Sequence, residues 1–184
     1  TASAKGIYFV DQTTTSSVLI VDSCILKGSG TFGTGFALGV QVNDLQANVT
    51  IYNTIIYNWK SGADADFGGI ASTTCNALNV YNSSIWGGYY GIKNTAGTVT
   101  VKNCAVGNNT DDFLGTFTMD YIVSDDNHSA DCATYFAYPT AGTGNWSLDF
   151  TTPGSNFTLL STATNLLDDG LADVFTEDDD IIGT

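Results

Sequence analysis

Four times before residue 107 the chain repeats one short pattern: apolar, gap, apolar, gap, Asn or Asp, then another apolar residue three positions on. It reads Val18-x-Ile20-x-Asp22 with Ile25, Val49-x-Ile51-x-Asn53 with Ile56, Leu78-x-Val80-x-Asn82 with Ile85, and Val99-x-Val101-x-Asn103 with Val106. A copy this short cannot bury its own apolar face, so each must stack on its neighbour. Stacking therefore decides what the chain can fold into.

A second pattern, Gly followed by an apolar residue, is interleaved at Gly6-Ile7, Gly35-Phe36, Gly69-Ile70 and Gly91-Ile92. The segments between are rich in Thr, Ser, Ala and Asn, which turn the chain more readily than they form helix. Each unit reads as strand, turn, strand. The unit length drifts, which disfavours a strict short-period solenoid and predicts an irregular one in which insertions leave through loops. The expected fold is all-β: a right-handed parallel β-helix of about five or six coils, hence roughly 25–30 Å long at about 4.8 Å per coil.

Apolar positions alternate with period two and the strand residues are Val, Ile, Tyr and Thr, so helix is disfavoured. An antiparallel sandwich is the competing β reading. Against it, the Asn-Gly and Asp-Gly dipeptides that favour tight hairpins are missing except at Asp169-Gly170. Asp22, Asn53, Asn82 and Asn103 are expected to lie one above another as an inward side-chain ladder, and Asn also suits the left-handed backbone of a sharp corner.

The 184 residues fit one domain, with regular coils over 1–107 and irregular closing coils and a C-terminal segment over 108–184. Five Lys, no Arg and 19 acidic residues give a formal net charge of −14. Such a surface repels phosphate backbones and anionic leaflets, which argues against nucleic-acid partners and electrostatic membrane docking. No apolar run is long enough to span a bilayer. A start at Thr1 without Met or a signal segment reads as a processed or trimmed piece. Cys24, Cys75, Cys104 and Cys132 form no CxxC pair and are expected to be free, buried thiols; inter-coil disulfides are the alternative in an oxidising setting.

Beyond residue 107 the sequence contains Ser124-Asp125-Asp126, then Phe157-Thr158-Leu159-Leu160-Ser161, then Asp179-Asp180-Ile181-Ile182-Gly183-Thr184. These stretches resemble the closing segment of pectate-lyase-like right-handed parallel β-helix repeat proteins of phages and secreted bacterial proteins. There a Ser-Asp-Asp turn precedes a Phe-x-Leu-x-Ser strand and an Asp-x-Asp-Gly-Thr-like end. Here Ile182 departs from that end, and the usual Pro-Arg continuation is missing. The resemblance implies a fold, not an activity.

Polysaccharide lyases of that group abstract a proton with Arg or Lys, and the chain has no Arg. Hydrolases need facing carboxylates; Asp111/Asp112 and Asp125/Asp126 are adjacent pairs whose members point to opposite faces of a strand. His128 lies in a turn without a nucleophile motif. No catalytic residue is assigned. The run Glu177, Asp178, Asp179, Asp180 offers hard oxygen ligands, so calcium is the one candidate cofactor, though without EF-hand spacing. Tyr57, Trp59, Trp86, Tyr89 and Tyr90 follow successive repeats and form a candidate glycan-stacking or subunit-contact flank. Six Asn-x-Ser/Thr sequons, at Asn48, Asn82, Asn108, Asn127, Asn145 and Asn156, follow from the composition.

Open β-helix ends require a cap or a partner. The resulting expectation is a non-catalytic, extracellular structural or adhesive protein, foremost a phage virion component such as a tail fibre, spike or capsid-surface protein. Its partners would be other subunits, at the ends or flank, and a surface glycan. The alternatives are a carbohydrate-active depolymerase fragment and a secreted bacterial glycan-binding surface protein.

Overall fold

The computed structural model describes residues 4–10, 15–29, 36–60, 67–127 and 130–133, with strand backbone also at 135–137, 150–152 and 156–159. Within them the chain is all-β, and no helix occurs. The first unit comprises β1 (Ala4–Phe9), β2 (Ser17–Asp22) and β3 (Ile25–Lys27), and the second β4 (Ala37–Asn43), β5 (Ala47–Tyr52) and β6 (Ile55–Tyr57). The third comprises β7 (Phe67–Thr74), β8 (Ala77–Tyr81) and β9 (Ser84–Trp86). The fourth has β10 (Tyr90–Asn94) and the long β11 (Thr98–Gly107), the fifth β12 (Asp111–Leu114) and β13 (Thr118–Ser124). β14 (Tyr135–Ala137) adds to β13, while β15 (Phe150–Thr152) and β16 (Asn156–Leu159) form a separate antiparallel pair.

Each strand of one unit pairs in parallel with its counterpart in the next. The first strands form a five-stranded sheet in the order β1-β4-β7-β10-β12. The second and third strands form a larger sheet with two runs, β2-β5-β8 and β3-β6-β9, which converge on β11. β11 spans both runs because Asn103, at φ 53°, bends it without ending it.

Alternation builds the core. β5 and β8 bury every second residue, so Val49 and Leu78, like Ile51, Val80 and Val101, form inward columns. These meet Val40, Ile70 and Ile92 of the five-stranded sheet in one cluster. At about 25 cal/mol per Å² of apolar surface removed from water, this continuous interior is the main stabilising term.

Two columns differ in register from the sequence expectation. In the first unit Leu19 pairs with Val49 and Val21 with Ile51. The inward residues are therefore Leu19 and Val21, and Val18, Ile20 and Ile25 are 68%, 61% and 69% exposed. Likewise Ile7 pairs with Val40, so the column glycine of the second unit is Gly39; Gly35 lies outside the described residues.

That column, Gly6, Gly39, Gly69 and Gly91, exists for space. A Cβ on Gly69 would lie 2.7 Å from Gly91 O and overlap the Cγ2 of Ile85; one on Gly39 would lie 2.6 Å from Gly69 O and overlap Ile56. Backbone cannot withdraw without breaking the ladder. Gly69→Ala is expected to cost about 1–3 kcal/mol through overpacking, read as a lower urea midpoint at constant m; an unchanged midpoint would contradict this packing.

Candidate functional site

The corners between the second and third strands repeat a single backbone device. Ser23, Asn53, Asn82, Asn103 and Tyr121 occupy equivalent positions with φ of 50°, 51°, 45°, 53° and 52°. Asn tolerates this left-handed conformation, which suits three of the five positions. In the first unit Ser23 takes the corner; Asp22 is the register partner of Tyr52 and is exposed.

The inward ladder expected at Asp22, Asn53, Asn82 and Asn103 lies one residue later. Asn53, Asn82 and Asn103 are only half-buried, and Asn53 Oδ1 accepts no hydrogen bond. A left-handed residue swings its own side chain aside and directs the next one inward. Those next residues are Cys24, Thr54, Ser83 and Cys104. Thr54 donates to Tyr52 O at 2.9 Å, Ser83 to Tyr81 O at 2.7 Å, and Cys104 to Lys102 O at 3.2 Å. Thr54 N in turn donates to Ser83 Oγ at 3.2 Å, tying adjacent units. An amide ladder does run outside, where Asn76 Nδ2 donates to Asn48 Oδ1 at 2.7 Å and Asn48 Nδ2 to Ser16 Oγ at 2.9 Å.

The aromatic flank is largely internal. Tyr57, Trp59 and Tyr90 are 8%, 6% and 2% exposed, and Trp86 and Tyr89 are half-buried. Tyr57 and Trp86 are register partners, as neighbours on successive repeats should be. Trp59 folds back beside Gly6 and Gly39, and its Nε1 donates to Leu26 O at 3.1 Å. Tyr90 lies over Gly68, in a small cluster with Leu38 and Ala71. Tyr57, Trp59 and Tyr90, buried this way, are not open to a sugar, while Trp86 and Tyr89 remain partly exposed. Tyr52 and Tyr81, register partners on the outward row of β5 and β8, are half-buried as well.

The densest chemistry lies at the far end of the stack. Register places Phe113 beside Ile92 and Ser124 beside Val106. Asp112 thus stands where earlier units have glycine, and Ser124 where they have Leu, Ile or Val. Asp112 is fully buried. Ser124 Oγ donates to its Oδ2, Asp125 N reaches the same oxygen at 3.2 Å, and Asn109 Nδ2 reaches Oδ1 at 2.8 Å. Burial pushes the Asp112 carboxyl up to about 8, reinforced by a hydrogen bond and charge repulsion from Asp125.

Asp125 and Asp126 turn outward from this pair to act as caps. In three earlier units the N–H after the third strand donates to a main-chain carbonyl: Gly28 N to Tyr57 O, Asn58 N to Trp86 O, Gly87 N to Gly107 O. At Asn108 the acceptor is instead the Asp125 carboxylate, at 3.0 and 3.2 Å. Asp126 Oδ2 takes the N–H of Asp112 at 2.6 Å on the outer edge of β12. Side-chain oxygens so replace the acceptors that a further unit would supply.

Among the described residues no group of three or more His, Cys, Asp or Glu is placed to hold a metal. Glu177, Asp178, Asp179 and Asp180, as well as His128, lie outside the described residues. None of the four cysteines forms a disulfide. Desolvation pushes the Cys104 thiol up to about 12 and that of Cys75 upward, so neither is a reactive thiolate.

No protein-family model matches the chain, and no curated protein or solved structure is significantly similar to it.

Proposed function

We propose that the stack is a right-handed parallel β-helix serving as a non-catalytic structural or adhesive module outside the cell, foremost on a phage particle. The handedness follows from general chirality, since connections between parallel strands of one sheet are right-handed in about 98% of cases. The virion setting follows from the resemblance of the Ser124-Asp125-Asp126 turn and the segments after it. The observation that carries the non-catalytic reading is the use made of the carboxylates. Asp112 is sealed in the interior with both oxygens engaged, and Asp125 and Asp126 cap main-chain N–H groups. A glycosidase needs two carboxyls facing each other across a solvent-filled gap of about 5 or 6.5–9.5 Å.

The outward Tyr52–Tyr81 pair favours a second reading, glycan binding without cleavage. Phenol rings on register-paired positions can present apolar faces to a sugar, and Thr50 and Asn79 of the same outward row add hydrogen-bonding groups.

The deciding experiment is two-sided. The native assembly carrying this chain is weighed by light scattering with mass spectrometry of its components, and the purified chain is incubated with surface polysaccharides. Co-purification with particle proteins and no release of new sugar ends is the expected outcome. Catalytic depolymerisation would overturn the reading.

A further inference from the structure

The turn after β13 is fastened to the stack by a cluster in which three carboxyls meet. Ser124 Oγ donates to Asp112 Oδ2 and accepts the N–H of Asp126 at 3.1 Å. Asp125 gives its own N–H to Asp112 and takes the N–H of Asn108 on both carboxylate oxygens, while Asp126 Oδ2 takes the N–H of Asp112. Each of these bonds has a carboxyl oxygen or the Ser124 hydroxyl at one end, so all of them depend on the charge state of the cluster.

Asp112 is fully buried, and the Asp125 carboxyl lies in hydrogen-bond contact with it. Two carboxyls that share one site hold a proton between them, because a second negative charge meets both the first and surroundings that do not solvate it. Among the described residues no cation offsets that charge. On the adjoining strands, Lys93 of β10 extends over the Tyr90 ring, 5.3 Å from Nζ to centroid, and Lys102 of β11 lies in the outward row between Tyr81 and Asp120. Neither lysine acts on Asp112. Asp111 is the register partner of Tyr90 and alternates to the other face of β12. Tyr89 packs on the main core, and Cys104, Asp120 and Tyr121 lie around the Asn103–Tyr121 corner at register positions before Ser124. Ser124 and Asn109 donate to the ionised form and favour it, but burial and Asp125 outweigh them.

We propose that this cluster is a proton-held latch: while Asp112 keeps its proton the Asp125–Asp126 turn stays fastened, and when the proton leaves the turn lifts into solvent and frees the N–H groups of Asn108 and Asp112 together. The turn is the part that moves. Asp112 is fixed because β12 is laddered to β10, with Phe113 opposite Ile92, and Phe113 packs edge-on against Phe117. Asp125 and Asp126 are half-buried and Asn127 is exposed, so the turn reaches water by giving up the bonds above. Opening of this kind is local, since each layer of the stack pairs with adjacent layers alone. The inference rests on the geometry around Asp112 and not on the virion or glycan readings.

Nuclear magnetic resonance of the isotope-labelled chain across neutral and alkaline pH tests the latch, with Asp112 Cγ reporting the proton and the Asn108 and Asp112 amides reporting the turn. All three signals should move with one shared midpoint near the value of about 8 to which the Asp112 carboxyl is raised, while far-ultraviolet circular dichroism stays constant. In Asp125→Asn, which keeps an oxygen for the Asn108 N–H but removes the second charge, the midpoint should fall by at least about 1 pH unit. In Asp112→Asn the Asn108 amide should hold its low-pH position throughout. Should that variant fail to fold, the parent and Asp125→Asn decide the matter. An Asp112 carboxyl that titrates near the ordinary value of about 4, or one that titrates while the two amides stay still, overturns the proposal. A midpoint that Asp125→Asn leaves unmoved overturns it equally, as does loss of the dichroism signal at the same midpoint, which would make the transition global.

Discussion

Trp59→Ala is expected to lower the unfolding free energy by about 3–5 kcal/mol, the range for deleting a buried large aromatic side chain. The indole fills the space left by Gly6 and Gly39, so its loss opens a void lined by backbone that cannot collapse without disturbing the β1–β4 ladder. It also removes the Nε1–H hydrogen bond to Leu26 O at 3.1 Å. Trp59→Phe retains most of the volume and should cost less. Denaturant unfolding at constant m measures both. A loss below about 1 kcal/mol for the alanine variant would mean that the ring is not part of the core.

Asp112→Asn is expected to remove the pH dependence that this buried carboxyl contributes. The folded carboxyl is raised from 3.8 to about 8, so the unfolded chain releases this proton at lower pH than the native one does. Its contribution to stability is full below pH 4, declines as pH rises towards 8 by up to about 1.4 kcal/mol per pH unit, and is flat above. Asparagine carries no proton to lose and retains a carbonyl oxygen for the Ser124 hydroxyl. The variant should therefore be more stable than the parent at pH 8, with the advantage shrinking as the pH falls to 4. Unfolding midpoints at pH 4, 6 and 8 decide the matter; a parent-minus-variant difference that does not move with pH would rule out a buried neutral carboxyl.

The parallel stacking was legible because period-two alternation of Val, Ile and Tyr leaves few other folds open, and because Asn53, Asn82 and Asn103 mark three of the five corners. Register in the first unit was less legible. Val18–Val21 is apolar at four consecutive positions, so alternation fits either face. The backbone decides between them: Ser23 takes the left-handed corner, and Gly6 must lie over Gly39. The aromatic residues were placed on neighbouring repeats, as the Tyr57–Trp86 pairing has it. Their accessibility was not legible, since only the glycine column shows that Trp59 has room to fold inward. Asp112 drew notice as half of an acidic pair. Aligning Asp112-Phe113 with Gly91-Ile92 is the step that puts its carboxyl in the interior, and from there the need for Ser124 and Asn109 follows.

Pairing confined to adjacent units has a mechanical corollary. In such a one-dimensional array each layer is held only by the layers above and below it, so opening proceeds as a zipper from a terminus and not as a single global event. Among the described residues β1, β2 and β3 pair on one side only, and they form a fraying layer where amide protons should exchange fast. The middle layers, anchored on both sides through Val49, Leu78 and Ile85, set the slowest exchange. Force applied along the stack would peel it layer by layer, giving a protein that yields in small steps.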